Sequence, residues 1–223
     1  MSTDVFHMTL MLSVFLCSLV AGLLFGFAVV VMPGITKLDD DDFLKAFKHM
    51  DGIIQDNHPL FMVVWVGSIF SVLGTLVLGT LQLTGLQLNL LCAAGVLYLL
   101  GVQAPTVRFN IPLNNALQCW DLASMDEAAL TEARTEFEAP WNRWNRIRTF
   151  NAAVSVSVFL FLLLMIAFIK LIEILNRSHT QQEAERQRRP LKKPAPQEPQ
   201  VPTVVMAAAI AAYEAERQQL INT

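Results

Sequence analysis

Three stretches of the chain carry no Asp, Glu, Lys or Arg: 8–36, 59–107 and 149–169. A helix crossing a bilayer needs roughly 20 apolar residues, so the outer two each hold one span and the middle one must hold two helices and a turn. The pattern predicts spans at about 8–32, 60–81, 90–108 and 149–174, with the turn in the uncharged polar segment 82–89 around Thr84-Gly85. Pro33-Gly34 is expected to end the first span. Gly22 and Gly26 in that span, and Gly67, Ser71 and Gly74 in the next, are expected to turn inward and let neighbouring helices approach closely.

The polar stretches between the spans have helical patterns of their own. Loop one opens with Asp39 to Asp42 and continues with apolar Phe43, Phe47, Met50 and Ile54, an amphipathic helix for which Asp42 is the expected N-cap. Loop three is expected to form a separate soluble helix from Ser124 or Asp126 to Phe137, with Ser124 and Glu127 spaced as a capping box. After Asn176 the sequence turns to Gln, Glu, Arg and Pro, which predicts a flexible linker over 177–202. An Ala-rich helix follows at 203–220, with Val205, Ala209 and Ala212 on one side; alone in water it frays, and otherwise it docks onto a protein partner. The expected fold is all-α and integral to the membrane. It is an antiparallel four-transmembrane-helix bundle over 1–176, with short amphipathic loop helices and a C-terminal tail.

Composition supports this class: 54% of the 223 residues are hydrophobic and 16% charged, too apolar for a soluble domain of this length. The first run lacks a basic n-region and is longer than a signal-peptide core, so it is expected to remain as a helix. Net charge is −3, which gives no ground for a nucleic-acid partner. Cys17, Cys92 and Cys119 form no CxxC pair, which argues against a disulfide framework or a thiolate metal site. The Asp39 to Asp42 run lacks the alternating oxygens and Gly turn of a calcium loop, so no metal ligands are assigned. The 16 basic residues divide equally between loops one and three and the chain from Lys170 onward. The tail cluster Arg188, Arg189, Lys192 and Lys193 favours both termini in the cytoplasm.

Chemistry concentrates at the entrance to the fourth span. On a helix, Trp141, Asn145 and Arg148 share a face with Trp144 beside them, and the polar line continues through Asn151 and Ser155. Polar side chains at membrane depth are costly unless they face the protein interior or a wet cavity. The stripe is therefore either a site or an interfacial belt of Trp and Arg anchors. At the end of the third span Pro105 and Pro112 would free the carbonyls of Gly101 and Arg108, and Gln103, Asn110 and Asn114 lie on one face. His58 abuts the second span. Four spans put loops one and three on the same side, so these groups meet at one membrane face.

Met32-Pro33-Gly34, Asn110-Ile-Pro112-Leu-Asn114 and Trp141-Asn-Arg-Trp144-Asn145-Arg-Ile-Arg148-Thr149 together resemble the anthrone oxygenase-like family of small four-helix membrane proteins, over about 10–175. The resemblance implies oxidation of a lipophilic aromatic or quinone-like substrate by O₂, with no metal or flavin cofactor. It implies His58 as base, Arg148, Asn110, Asn114 and Asn145 as hydrogen-bond donors to substrate oxygens, and Trp141 and Trp144 as walls of a flat slot. Each of these residues also has a plain structural use, as cap, loop tie or belt. The tail segment Val204 to Tyr213 resembles the Ala-rich end of the gamma subunits of sodium-pumping decarboxylases, which implies a role in holding a partner. Two expectations stand: a cofactor-independent membrane oxygenase-like protein, or a non-enzymatic membrane subunit whose tail recruits another protein. Its partners are then the lipid bilayer and a lipophilic small molecule, with a protein partner at 203–220.

Overall fold

A computed structural model describes residues 2–188 and 203–221. Among these residues there is no strand, and four helical stretches are long and apolar enough to cross a membrane: Asp4–Ile35, Pro59–Thr80, Gly85–Cys119 and Glu127–Gln187. The protein is a multi-pass, all-α membrane protein. It divides into two compact units, Met1–Ile172 and Glu173–Thr223.

In the first unit, α1 (Ser2–Gly26) passes through a π-helical turn, Phe27–Val31, into α2 (Met32–Ile35). Pro33 does not stop the helix: the π-helical turn Phe27–Val31 comes directly before it and widens the helix around the missing N–H, as at the prolines of the third span. Buried positions Phe6, Leu10, Ser13, Cys17, Val20 and Leu24 of α1 are spaced alternately by four and three, with Leu16 buried beside Cys17, so one stripe faces the bundle. α1 packs chiefly on α4 (Pro59–Thr80), and α4 packs on α5 (Gly85–Tyr98). Of the small residues expected to face inward, Ser71 is buried and a Cβ on Gly67 would lie 3.4 Å from Leu16 of α1, but the other three make no such contact. A Cβ on Gly22, Gly26 or Gly74 would meet nothing within 4 Å, whereas one on Gly79 would lie 2.0 Å from Leu91 and one on Gly95 2.8 Å from Leu76. Glycine therefore serves close approach between α4 and α5 at Gly79 and Gly95, and between the third and fourth spans at Gly101, where a Cβ would lie 2.8 Å from Asn151.

The third span carries two π-helical turns, Leu99–Gln103 and Thr106–Asn110, before α6 (Ile111–Cys119). They bracket Pro105 and precede Pro112, each widening the helix around a residue that cannot donate. The carbonyl of Gly101, which Pro105 cannot serve, accepts from Asn151 Nδ2 of the fourth span at 3.1 Å.

The fourth span differs most from expectation. Loop three does not hold a helix of its own; α7 (Glu127–Arg188) is continuous, with Pro140 inside it. Its buried face is a single stripe through Ala133, Phe137, Trp141, Asn145, Arg148, Ala152, Ser155, Phe159, Leu162 and Ile166. Burial along ten positions outweighs the break that Pro140 would cause, and Glu136, whose carbonyl loses its helical donor, is exposed. The helix starts on Asp126, whose Oδ1 accepts from Ala129 N at 2.9 Å, rather than on a Ser124 capping box. Likewise α3 (Asp40–Gln55) is capped by Asp39, which accepts from Asp42 N at 2.8 Å, so Asp40 to Asp42 occupy the first turn, where the helix dipole favours acids.

Two apolar cores result. One lies in the bundle around Leu10, Val20, Val72, Tyr98, Phe159 and Leu162. The other lies above it, where Met32, Phe43, Phe47, Leu117, Leu122, Phe137 and Trp141 join α3, α6 and the first turns of α7 into a cap. Arg134 fastens this cap: it donates to Asp40 at 3.0 Å, Glu138 at 2.8 Å and the carbonyls of Leu38 and Thr36, and stands 4.4 Å from the Phe43 ring centre.

In the second unit, residues 173–188 belong to α7, so the expected linker is helical at its start; the remainder of it, 189–202, lies outside the described residues. α8 (Thr203–Ile221) is exposed along its length.

Candidate functional site

A cavity of about 250 Å³ lies where the bundle meets the cap, lined by residues of all four spans and of α3. Its walls are apolar and aromatic, among them Leu23, Phe27, Phe47, Phe61, Met62, Trp65 and Val66. Its polar lining is Asp51, Gln55, Thr106, Asn110, Asn114, Asn145 and Arg148, with Trp141 between them. A mostly apolar pocket with a few convergent polar groups is the form a small-molecule site takes.

Helical spacing on α7 places Trp141, Asn145 and Arg148 along the cavity. Arg148 is 4% exposed. Its Nη1 donates to Thr106 Oγ1 at 2.9 Å and its Nη2 to Asn145 Oδ1 at 3.1 Å, while Nε has no partner. Asn145 in turn donates through Nδ2 to the carbonyl of Leu24 at 3.2 Å, which fixes its oxygen toward the arginine. No ion pair to Arg148 occurs among the described residues. A guanidinium buried with only neutral acceptors has part of its charge uncompensated and attracts an anionic or strongly polarised oxygen.

The π-helical end of the third span supplies Thr106 and Asn110, and α6 supplies Asn114. Asn110 is 2% exposed; its Nδ2 reaches the carbonyl of Trp141 at 3.4 Å, and its Oδ1 is without a partner. Asn114 Oδ1 accepts from Trp141 Nε1 at 2.9 Å, and its Nδ2 donates to Asp51 Oδ1 at 2.7 Å. The Trp141 ring packs against Phe47, Phe27 and Phe137, with centroids 5.0, 5.6 and 6.4 Å away, and the Arg148 guanidinium is 5.9 Å from its centre. The indole therefore meets both groups, the amide cluster at its Nε1 edge and the arginine over its ring.

Of the residues singled out in the sequence, the structure brings Asn110, Asn114, Trp141, Asn145 and Arg148 to one cavity. It does not bring His58 or Trp144. His58 is the N-cap of α4, exposed and without a side-chain capping bond, and it does not line the cavity. Trp144 lies about 60° round the helix from Trp141, and stacks on Phe109 with centroids 3.6 Å apart and planes 6° from parallel. It braces the third and fourth spans. Asp51, which the sequence reading passed over, is 2% exposed and accepts from Asn114, Gln118 and Gln55. Its signal was its position: Asp51 follows Phe43 and Phe47 at four-residue steps, an acid in the apolar phase of an amphipathic helix.

The buried Asn and Arg positions fall within a segment that a family model matches. Residues 58–158 match the anthrone oxygenase family model. The anthrone oxygenase segment begins at His58, ends in the membrane part of α7 and contains both the Asn110 to Asn114 and the Trp141 to Arg148 elements. It is shorter than the 10–175 expected, leaving out the first span and α3, which supply the cavity's other wall. No match supports the likeness of the tail to decarboxylase gamma subunits. No curated protein and no solved structure matches the chain.

Proposed function

We propose that the protein is an oxygenase-like enzyme of the membrane that takes a lipophilic aromatic substrate into this cavity and presents it to O₂, with Arg148 stabilising the anion from which oxidation starts. The observation that carries this reading is Arg148 itself: buried, without an acid partner, and lining an apolar cavity inside the anthrone oxygenase segment.

The chemistry suits such a wall. An anthrone-type substrate has an acidic CH₂ group; loss of its proton to solvent base gives an anion delocalised onto an oxygen, and that proton is returned when the peroxide formed with O₂ loses water. That anion passes electrons to O₂, the carbon forms a bond to oxygen, and loss of water leaves a carbonyl, so one oxygen atom enters the product and the other leaves in water. A donor already in place for the developing oxyanion lowers the cost of the first step, because it need not reorganise as charge appears. Arg148, held by Thr106 and Asn145, is such a donor. Trp141, Phe27 and Phe47 supply flat surface for the rings. O₂ partitions into lipid, so a site at the bundle's end draws both reactants from the bilayer. We place both termini in the cytoplasm, from the basic cluster Arg188 to Lys193.

A second reading, a membrane subunit that recruits a protein, is favoured by α8, which leaves Val204, Met206, Ile210 and Tyr213 exposed. An oxygen electrode separates the two. Reconstituted in nanodiscs with anthrone, the protein should consume O₂ faster than empty nanodiscs do, one O₂ per anthraquinone formed, and Arg148→Gln should lose that excess. O₂ uptake equal to the empty control would overturn the enzyme reading and leave the subunit.

A further inference from the structure

Arg148 and Asp51 are buried side chains of opposite sign lining one cavity, yet they make no ion pair with each other. In a low-dielectric interior such groups attract strongly, so holding them apart requires other partners. Each has them. Arg148 is tied to Thr106 and Asn145, and the Asp51 carboxylate accepts from Asn114 Nδ2 at 2.7 Å on Oδ1 and from Gln118 Nε2 at 2.9 Å and Gln55 Nε2 at 3.2 Å on Oδ2. Three amide donors fill three of the roughly four acceptor positions of a carboxylate and leave one on Oδ1.

We infer that Asp51 is the acceptor pole of the cavity and selects ligands carrying an O–H or N–H donor at the end of the ring system opposite the oxygen held by Arg148. The inference rests on the proposed role of Arg148 and specifies the substrate class further: a hydroxylated aromatic with a carbonyl or oxyanion at one end and a hydroxyl at the other. Trp141 sets the direction. Its Nε1 donates to the same Asn114 that holds Asp51, and the guanidinium of Arg148 stands over its ring at 5.9 Å from the centre, so a flat ligand against the indole meets the two poles at different points, one by the Nε1 edge and one by the ring. Asn110 Oδ1, buried without a partner, adds a second acceptor to the wall. A ligand with acceptors only, such as an unsubstituted quinone, satisfies Arg148 but leaves the carboxylate facing an oxygen.

A ligand series anchored at Arg148 by its own charge tests this. Full-length protein in nanodiscs is titrated by equilibrium dialysis with 2-naphthoate, 6-hydroxy-2-naphthoate and 6-methoxy-2-naphthoate. The carboxylate seeks the guanidinium, and only the hydroxy compound offers a donor at the far end. The hydroxy compound should bind wild type about tenfold or more tightly than the other two, the least expected for a hydrogen bond to a charged acceptor. In Asp51→Asn, one face of which becomes a donor, the advantage should shrink to about threefold or less. If all three bind wild type equally, or if Asp51→Asn keeps the full advantage, the inference is overturned while Arg148 stands as the anion site. If none binds wild type, the Arg148 reading itself fails and takes this one with it. Should Asp51→Asn not fold, the wild-type hydroxy and methoxy comparison decides alone.

Discussion

Arg148 Nη1 donates to the hydroxyl of Thr106 at 2.9 Å, tying a buried guanidinium to a π-helical turn of the third span instead of to an acid. Thr106 itself donates to the carbonyl of Val102 at 2.7 Å, so its oxygen is fixed in direction and its lone pairs are left for the arginine. Thr106→Val preserves shape and removes that acceptor. It should destabilise the bundle by at least about 1–3 kcal/mol, the cost of leaving a buried donor unpaired, which is larger when the donor is charged. A thermal melt in detergent checks it, and an unchanged melting temperature would mean that the contact bears no load.

Gly101 and Asn151 form a second tie between the same spans. A Cβ on Gly101 would stand 2.8 Å from Asn151 Nδ2, so Gly101→Ala should cost about 1–3 kcal/mol through overpacking and loss of the bond to the freed carbonyl. Asn151→Ala removes the obstacle. The double variant should be more stable than the sum of the single losses predicts, and strict additivity in a double-mutant cycle would show that the two sites are not coupled.

Small residues give a contrast within one class of substitution. Gly79→Leu meets Leu91 at once, whereas Gly26→Leu enters open space. The first should lower the melting temperature in detergent and the second should leave it nearly unchanged.

The cap should be sensitive to acid at Asp40. The Thr131 hydroxyl on its carboxylate, and secondly the Arg134 guanidinium, hold Asp40 below the usual carboxylate range. A carboxyl lowered on folding adds stability above its unfolded pKa of about 3.9 and loses it as pH falls through the folded value. Proteolysis of the 36–42 segment should therefore rise as pH drops below about 4 in wild type. Arg134→Ala should raise it already at neutral pH, since Arg134 also binds the Leu38 and Thr36 carbonyls. Equal cutting of both proteins at neutral pH would contradict this role.

Much of this architecture is legible in the chain. Charge-free runs mark the spans because bilayer thickness and the cost of buried charge act on every residue alike. The α7 part of the site is legible for a similar reason: Trp141, Asn145 and Arg148 keep one helical phase. The proline effect on the Gly101 carbonyl also follows from covalent structure, though its partner, Asn151, required the fold. Other features depended on tertiary packing. Pro140 reads as a break, and only the buried stripe on both sides of it explains the continuous α7. The π-helical turns at Leu99–Gln103 and Thr106–Asn110 shift the phase of the third span; Pro105 and Pro112 mark their place in the sequence but not the widened geometry. The Gly22 and Gly26 spacing fits a packing motif equally well whether it faces a helix or open space. His58 is near the site in sequence terms, but the N-cap geometry of α4 turns it outward, while the partners of Asp51, Asn114 and Gln118, lie more than sixty residues away and meet it only in the fold.

The central claim is that Arg148 stabilises an anionic oxygen in the cavity, and the most direct measurement is the ionisation of a bound phenol. A probe whose phenolate has its own absorbance band, such as 4-nitrophenol, is titrated with acid and base while saturating the protein in nanodiscs. Bound to wild type, its midpoint should fall by about one unit or more relative to the probe in empty nanodiscs, each unit being 1.36 kcal/mol of preference for the anion. Bound to Arg148→Gln, folded by the same melt, the midpoint should return to the control value or above it. A wild-type midpoint equal to that of the variant would contradict the claim.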